Sequence, residues 1–247
     1  MHVLVTGATG RVGSRFVPRL LDQGEDVRIL VRDAGRAEAL RQRGAEVTTG
    51  DLRNPGDLRR AVDGADAVVH LGASFRGVAA EEAVAINQTA TVELARAALQ
   101  ASVARFVFVS INLVYGPGRG RPTRADDERR PPAEAAYPRS KLAAEDALLQ
   151  LHRDHGLGLR WARGWPAHQR LHLVHHADVG QGLLRALRAN GVDGRAYNVA
   201  DDAPITAFEL HTLNREPNRA EPPQLPGSGR YPEPTHQGPD ARATARS

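Results

Sequence analysis

Cysteine is absent from the 247 residues. That excludes a disulfide framework, a thiolate metal site and a cysteine nucleophile. Aromatic residues make up only 4% of the chain, and no basic stripe interleaved with aromatics stands out. Acidic residues are interspersed among the basic ones, so the formal charge of +4 does not point to nucleic acid as a partner. No apolar run reaches the length of a transmembrane helix, and a membrane is not an expected partner either. The first strand is expected to start at His2, with no signal peptide before it, which makes the cytoplasm the expected compartment. Internal repeats are also lacking. The most informative scarcity is lysine. Of 33 Lys and Arg residues, one is lysine, Lys141. A composition this rich in Arg keeps Lys where a compact ammonium is needed and a planar fork cannot serve.

Hydrophobic residues at 41% and charged residues at 25% are ordinary for a globular domain. The length suits one large domain, or one domain with a small appendage. Residues 1–165 read as the main domain and 166–213 as a small cap that completes the fold. From 214 to 247 the chain is rich in Pro, Arg and Gly with few apolar residues, so it reads as a flexible tail or a partner-wrapping arm.

Val3-Leu4-Val5 reads as a buried strand. It feeds into Thr6-Gly7-Ala8-Thr9-Gly10-Arg11-Val12-Gly13, and the spacing of Val12, Phe16 and Leu20 predicts a helix that Gly24 closes, with Pro18 kinking it. Strand, glycine-rich turn and helix together form the context of a phosphate cradle. The glycines permit a tight turn and close backbone approach, and the helix N-terminus offers unpaired N–H groups. A second strand, 27–31, ends at Arg32-Asp33, where the adenosine ribose meets such folds. An Arg there pairs with a 2′-phosphate and an acid with a 2′-hydroxyl. Arg32, with Arg11 and Arg36 nearby, leans toward NADP, and Asp33 keeps NAD open.

Strand and helix patterns then alternate. Strands are expected at 46–49, 67–71, 106–110 and 159–163. Helices are expected at 35–43, after the Asn54-Pro55 cap, and over a long Ala-rich stretch at 79–101. Alternation of this kind means right-handed crossovers and a parallel sheet, with ligands outside the carboxyl ends of the strands. Gly7, Arg32, Asp51, Gly72 and Ser110 each follow a strand and should line one crevice. His70 reads as a packed strand-end histidine. Tyr137 and Lys141 stand four residues apart. On a helix they share a face, so the ammonium is expected to favour the phenolate and lower the phenol's pKa, giving a usable proton donor or acceptor. His172, His175, His176 and Asp178 do not make a convincing ligand set, and no metal is expected.

Taken in order over about residues 1–210, these pieces resemble an extended short-chain dehydrogenase/reductase of the NAD-dependent epimerase/dehydratase family. They are Thr6-Gly7-x-x-Gly10-x-x-Gly13, Asp51-Leu52, His70-Leu71-Gly72-Ala73, Asn87 with Thr89, Val114-Tyr115-Gly116-Pro117, Tyr137-x-x-x-Lys141, His175-His176-Ala177-Asp178-Val179 and Tyr197-Asn198-Val199. The resemblance implies a doubly wound parallel α/β (Rossmann) sheet with a reduced C-terminal substrate cap. It implies a nicotinamide cofactor contacted by Gly7, Thr9, Gly10, Arg11, Val12, Gly13, Arg32, Asp51, Leu52, Leu71, Gly72, Ala73 and Gly164. Tyr137 would be the proton donor or acceptor, and Lys141 would also hold the nicotinamide ribose.

Two departures shape the expected function. The family places Ser or Thr three residues before the Val of Val-Tyr-Gly, and here that residue is Ile111. Ser110 could replace that hydroxyl if a bulge intervenes, because on a strand Ser110 and Ile111 point to opposite faces, and Asn112 could supply an amide instead. The dehydratase branch follows that hydroxyl with Asp-Glu, and this chain has Asn112-Leu113 instead. The stretch after Gly164-Trp165-Pro166 is also short, which implies a small cap and an open site. The expectation is an NAD(P)-dependent oxidoreductase that reduces a ketone (a keto-sugar or a natural-product ketone) or oxidises the matching alcohol, with Tyr137, Lys141 and Ser110 catalytic. A nucleotide-sugar epimerase and a cofactor-binding protein without full activity are the alternatives. Apolar residues spread widely over the 79–101 and Tyr137 helices predict a homodimer.

Overall fold

The computed structural model describes residues 1–75, 79–117, 123–164, 167–168, 170–171, 176–199 and 205–206. The chain alternates strands and helices: β1 (His2–Thr6), α1 (Gly13–Asp22), β2 (Asp26–Val31), α2 (Glu38–Gln42), β3 (Glu46–Thr49), α3 (Pro55–Val62) and β4 (Ala67–His70). It continues with α4 (Ala80–Val84), a π turn at Ala85–Thr89, α5 (Ala90–Gln100), β5 (Arg105–Ile111) and a 3-10 turn at Asn112–Tyr115. The last elements are α6 (Ala136–His155), β6 (Leu159–Gly164), β7 (Ala167–His168), β8 (Arg170–Leu171), α7 (His176–Arg188), β9 (Arg195–Val199) and β10 (Ile205–Thr206).

Seven strands form one sheet in the order β3-β2-β1-β4-β5-β6-β9, and every neighbouring pair is parallel. The strand order reverses between β1 and β4, which opens a crevice at their carboxyl ends, where doubly wound sheets bind ligands. The sheet is parallel because each crossover carries a helix, and its inner strands β1, β2, β4 and β5 are largely apolar on both faces because helices cover both.

Alternation along the strands sorts their side chains into two layers. Val3, Val5, Ile29 and Val107 face one core with Phe16 and Leu20 of α1 and Leu183 and Leu187 of α7. Leu4, Leu30, Val68, Phe106 and Phe108 face the other, against Leu58 of α3, Leu94 and Ala98 of α5 and Ala144 and Leu148 of α6. Each fully buried Leu or Phe contributes roughly 1.5–3 kcal/mol.

The expected strands and helices are present, and Pro18 lies inside α1 as expected. Asn54 caps α3 by accepting from the Gly56 amide at 2.8 Å, with Pro55 in the first turn. The expected long helix over 79–101 is α4 and α5 joined through the π turn. β7, β8 and β10 make a small antiparallel sheet within the span expected for the cap. The rest of that span up to α7 and most of 200–213, including Trp165, His172 and His175, lies outside the described residues, as does the 214–247 stretch.

Candidate active site at the carboxyl edge of the sheet

The turn after β1 is built from close backbone approaches. Gly7 has φ +70°, and a Cβ there would lie 2.7 Å from the Gly72 nitrogen and the Leu71 carbonyl carbon. A Cβ on Gly13 would collide with the Gly7 carbonyl oxygen and stand 2.6 Å from the Ala8 Cα. The Gly10 amide closes the turn on the Gly7 carbonyl at 3.0 Å. Thr9, Arg11 and Val12 complete it. At the start of α1, Val12 supplies no side-chain cap, and the first turn holds no acidic residue. The Ser14 and Arg15 amides already bond to the Gly10 and Val12 carbonyls, so the positive end of the dipole and the turn amides before Ser14 are what face an anion. This geometry fits a dinucleotide diphosphate.

The β2 end is exposed, and its charges divide in two. The Asp33 carboxylate accepts from the Gly35 amide at 2.9 Å and so serves the local turn. Arg11, Arg32 and Arg36 are exposed, and among the described residues Arg32 has no hydrogen bond or ion pair. Past β3, Asp51 is held by Arg53 through contacts of 3.0 and 2.6 Å, which pulls its carboxyl down to about 2. Leu52 reaches the backbone of Gly72, where its Cδ1 lies 2.7 Å from the position a Cβ would take. The expected contact residues Gly7, Asp51, Leu52, Leu71, Gly72 and Ala73 thus gather at neighbouring strand ends, and Gly164 ends β6, paired with Val199.

His70 is fully buried and uses both ring nitrogens. Thr6 and His70 are register partners on β1 and β4, and the Thr6 hydroxyl lies 2.6 Å from His70 Nδ1. His70 Nε2 lies 2.9 Å from the Thr91 hydroxyl, which itself donates to the Asn87 carbonyl at 2.9 Å. The Thr91 oxygen therefore accepts from Nε2–H, and Nδ1 accepts from Thr6. Burial holds His70 down at about 3, so the ring stays neutral in this one tautomer. The packed-histidine reading agrees with this arrangement.

Asn87 sits in the π turn, a local widening of the helix often found at functional sites. Its side chain clamps the backbone of Ser74: Oδ1 accepts from the Ser74 amide at 2.8 Å and Nδ2 donates to the Ser74 carbonyl at 2.9 Å. Nδ2 also donates to Ser140 Oγ at 3.1 Å, and Ser140 donates to the Tyr137 carbonyl at 2.8 Å. The loop after β4 is thereby tied to the first turn of α6. Sequence reading placed Asn87 only by resemblance and missed the clamp.

Tyr137 and Lys141 lie on α6 at i and i+4. Phe75 packs edge-on against Tyr137, with ring centroids 4.8 Å apart. Lys141 is buried, with Nζ 4.0 Å over the centroid of the Phe108 ring. Here the structure departs from the expected electrostatics. Burial pushes the Tyr137 phenol up to about 12, and the ammonium, turned to the Phe108 face, does not offset it. Burial likewise lowers Lys141 to about 7, and the nearby Glu145 carboxylate raises it in part. Glu145, one turn further on α6, is buried and paired with Arg129 at 2.9 Å, which fastens the segment before α6 onto this helix.

Ser110 needs no bulge to face this site. β5 pairs regularly with β6 through Ser110↔Arg163 and Ile111↔Gly164. Alternation puts Phe106, Phe108 and Ser110 on the face that carries α6. The Ser110 hydroxyl is buried and has no hydrogen-bond partner among the described residues, an arrangement that a folded chain tolerates at a cost unless a ligand completes it. Asn112 is buried and already partnered. Two later fragments of the expected pattern also meet. The Tyr115 hydroxyl lies 3.3 Å from both the Ala125 carbonyl and Asn198 Oδ1, and Asn198 donates to the Thr123 carbonyl at 3.2 Å. Among the described residues no cluster of metal-ligating side chains occurs, and no helix is long and apolar enough to cross a membrane.

Residues 3–164 match the NAD dependent epimerase/dehydratase family. The chain belongs to this family. It is 28% identical over 249 residues to the 4-hydroxy-2-methyl-3-oxo-4-farnesyl-3,4-dihydroquinoline-1-oxide ketoreductase of Stigmatella aurantiaca, covering 86% of this chain and 72% of that one. It is 34% identical over 159 residues to a 3 beta-hydroxysteroid dehydrogenase/Delta 5-->4-isomerase of Mycobacterium tuberculosis, covering 60% of this chain and 42% of that one. The chain thus spans less than half the length of the mycobacterial relative. The fold is shared with the UDP-glucuronic acid 4-epimerase of Bacillus cereus, solved with NAD, at a TM-score of 0.79 and 19% identity, covering 87% of this chain and 82% of that one. It is shared also with the dTDP-glucose 4,6-dehydratase DesIV of Streptomyces venezuelae, solved with NAD, at a TM-score of 0.77 and 24% identity, covering 86% and 80%. The family member described here therefore has the Rossmann sheet of nicotinamide-dependent oxidoreductases, dehydratases and epimerases.

Proposed function

We propose that the chain is an NAD(P)-dependent oxidoreductase that reduces a ketone, or oxidises the matching alcohol, by an acid–base mechanism centred on Tyr137. The observation that carries this reading is the buried Ser110 hydroxyl, which has no partner among the described residues and lies on the β5 face covered by α6, the helix that carries Tyr137 and Lys141. The nicotinamide, when bound, supplies or accepts the hydride at the substrate carbon. Ser110 donates a hydrogen bond to the substrate oxygen. Tyr137, held near 12, is protonated at neutral pH and gives its proton to that oxygen as the carbon is reduced. Lys141, one turn further along the same helix, holds the nicotinamide ribose. With Tyr137 protonated, reduction is favoured at neutral pH and oxidation gains as pH rises. The two relatives whose names are a ketoreductase and a hydroxysteroid dehydrogenase support the ketone–alcohol pair over sugar dehydration, as do Asn112 and Leu113. In a Tyr137→Phe protein, consumption of NAD(P)H with a ketone panel is expected to fall by about 10²–10⁴ while cofactor binding persists. Full turnover in that variant refutes the assignment.

NADP is the proposed cofactor over NAD. Arg32 is exposed and, among the described residues, in no ion pair, whereas the Asp33 carboxylate accepts from the Gly35 amide. We also propose a homodimer through α4, α5 and α6. Val84, on α4 beside α6, is 42% exposed, and a second copy would cover it.

A further inference from the structure

Among the described residues, four large apolar side chains are exposed: Phe75, Val84, Leu113 and Tyr197. Exposed apolar residues need no explanation one by one. Phe75 differs because it is 51% exposed and yet fixed in place. The residue before it, Ser74, is clamped at both its amide and its carbonyl by Asn87. The same amide group ties to Ser140 on α6. Phe75 is therefore held with its ring edge-on to Tyr137 at 4.8 Å between centroids, and half its surface still faces water.

β4 and β5 lie side by side, and the 3-10 turn after β5 carries Leu113, 38% exposed. A carbonyl that takes its proton from Tyr137 must come within hydrogen-bond reach of the phenol. The group flanking that carbonyl then meets Phe75, which packs on Tyr137. Sugar hydroxyls set against the exposed Phe75 ring would lose water without gaining a partner from it. An apolar ring would bury surface on Phe75 and gain the favourable geometry of an aromatic pair.

We propose that this site takes an apolar, ring-bearing ketone, and that Phe75 is the residue that selects it. The proposal rests on the reading of Tyr137 as proton donor. Its test uses the full chain with NADPH or NADH and two substrate sets, ring ketones such as tetralones and 3-keto steroids, and hydroxylated ketones such as dihydroxyacetone and UDP-linked keto-sugars. Steady-state constants are compared for the unmodified protein, Phe75→Ala and Phe75→Leu, and saturation-transfer NMR reports binding of both sets to the cofactor-loaded protein. Ring ketones are expected to be preferred. Phe75→Ala should raise their KM by about tenfold with a smaller change in kcat, and Phe75→Leu should recover part of the loss. A fall in kcat alike for both sets would mean that Phe75 only braces Tyr137, and would overturn the proposal. Turnover confined to hydroxylated ketones would overturn it while leaving the oxidoreductase reading intact. Ring ketones that bind, weaken in Phe75→Ala and are never turned over would uphold the apolar site and sink the oxidoreductase reading instead.

Discussion

At the β1–β2 side of the crevice the charged side chains stand in water. Arg11, Arg32 and Arg36 are exposed, and the groups that shape the turn are backbone atoms crowded around Gly7, Gly13 and Gly72. At the β5–α6 side the chemistry-bearing groups are withdrawn from water: Lys141 buried against Phe108, Ser110 buried with no partner among the described residues, and Tyr137 half-buried with Phe75 edge-on against it. The first side recognises by shape and screened charge. The second sets protonation states by excluding water. Substitutions at the first should therefore alter affinity and leave stability nearly untouched, whereas substitutions at the second should couple activity to stability.

Lys141→Met tests that coupling with the largest expected effect. Turnover should fall by about 10²–10⁴, yet the protein should become more stable. The sign follows from the titration. In the unfolded chain this amine titrates near 10.5, and in the folded protein near 7. Between those values the unfolded state binds more protons, so stability of the unmodified protein rises with pH across that window. The advantage of Lys141→Met should be greatest at and below about pH 7, and should shrink toward pH 10.5. Denaturant midpoints measured from pH 6 to 10 check this, and a variant less stable than the unmodified protein at pH 6 contradicts it.

At the other side, Arg32→Ala should narrow the preference for NADPH over NADH by about tenfold, the scale of one charge-assisted hydrogen bond, with no change in denaturant midpoint. Titration of both cofactors by fluorescence gives the ratio. Equal affinities in the unmodified protein would remove the assignment of NADP. The smallest effect is on assembly. Light scattering at micromolar concentration should give twice the single-chain mass of 26.7 kDa, and the single-chain value rules the dimer out.

These two sides were not equally legible in the sequence. The glycine turn was readable because its cause is local: Val3-Leu4-Val5, then Gly7, Gly10 and Gly13 at fixed offsets, then a helix-spaced apolar set. The rarity of lysine marked Lys141 without any structural information. Its titration was not readable. The helical i,i+4 rule sees Tyr137 beside Lys141, but it sees neither the Phe108 ring brought beneath the amine from β5 nor the loss of water around both groups. Ser110 was expected to need a bulge, because the sequence does not say which face of β5 carries α6. The alternation that puts Phe106 and Phe108 toward α5 and α6 carries Ser110 with them. The π turn escaped notice because an extra residue in a helical turn leaves the apolar spacing of 79–101 almost intact, and its reason, the Asn87 clamp on Ser74, joins segments distant in sequence. Phe75 stands in a stretch without periodicity, and only its packing on Tyr137 gives it meaning.

Burial, not the ammonium, governs the Tyr137–Lys141 pair. Because the chain has one lysine, the protein labelled with ¹⁵N at lysine Nζ gives a single side-chain amine signal, and its shift can be followed from pH 5 to 11. A midpoint of about 7 is expected, as burial lowers it, with Tyr137 still protonated there. A midpoint near the ordinary 10.5 would contradict it.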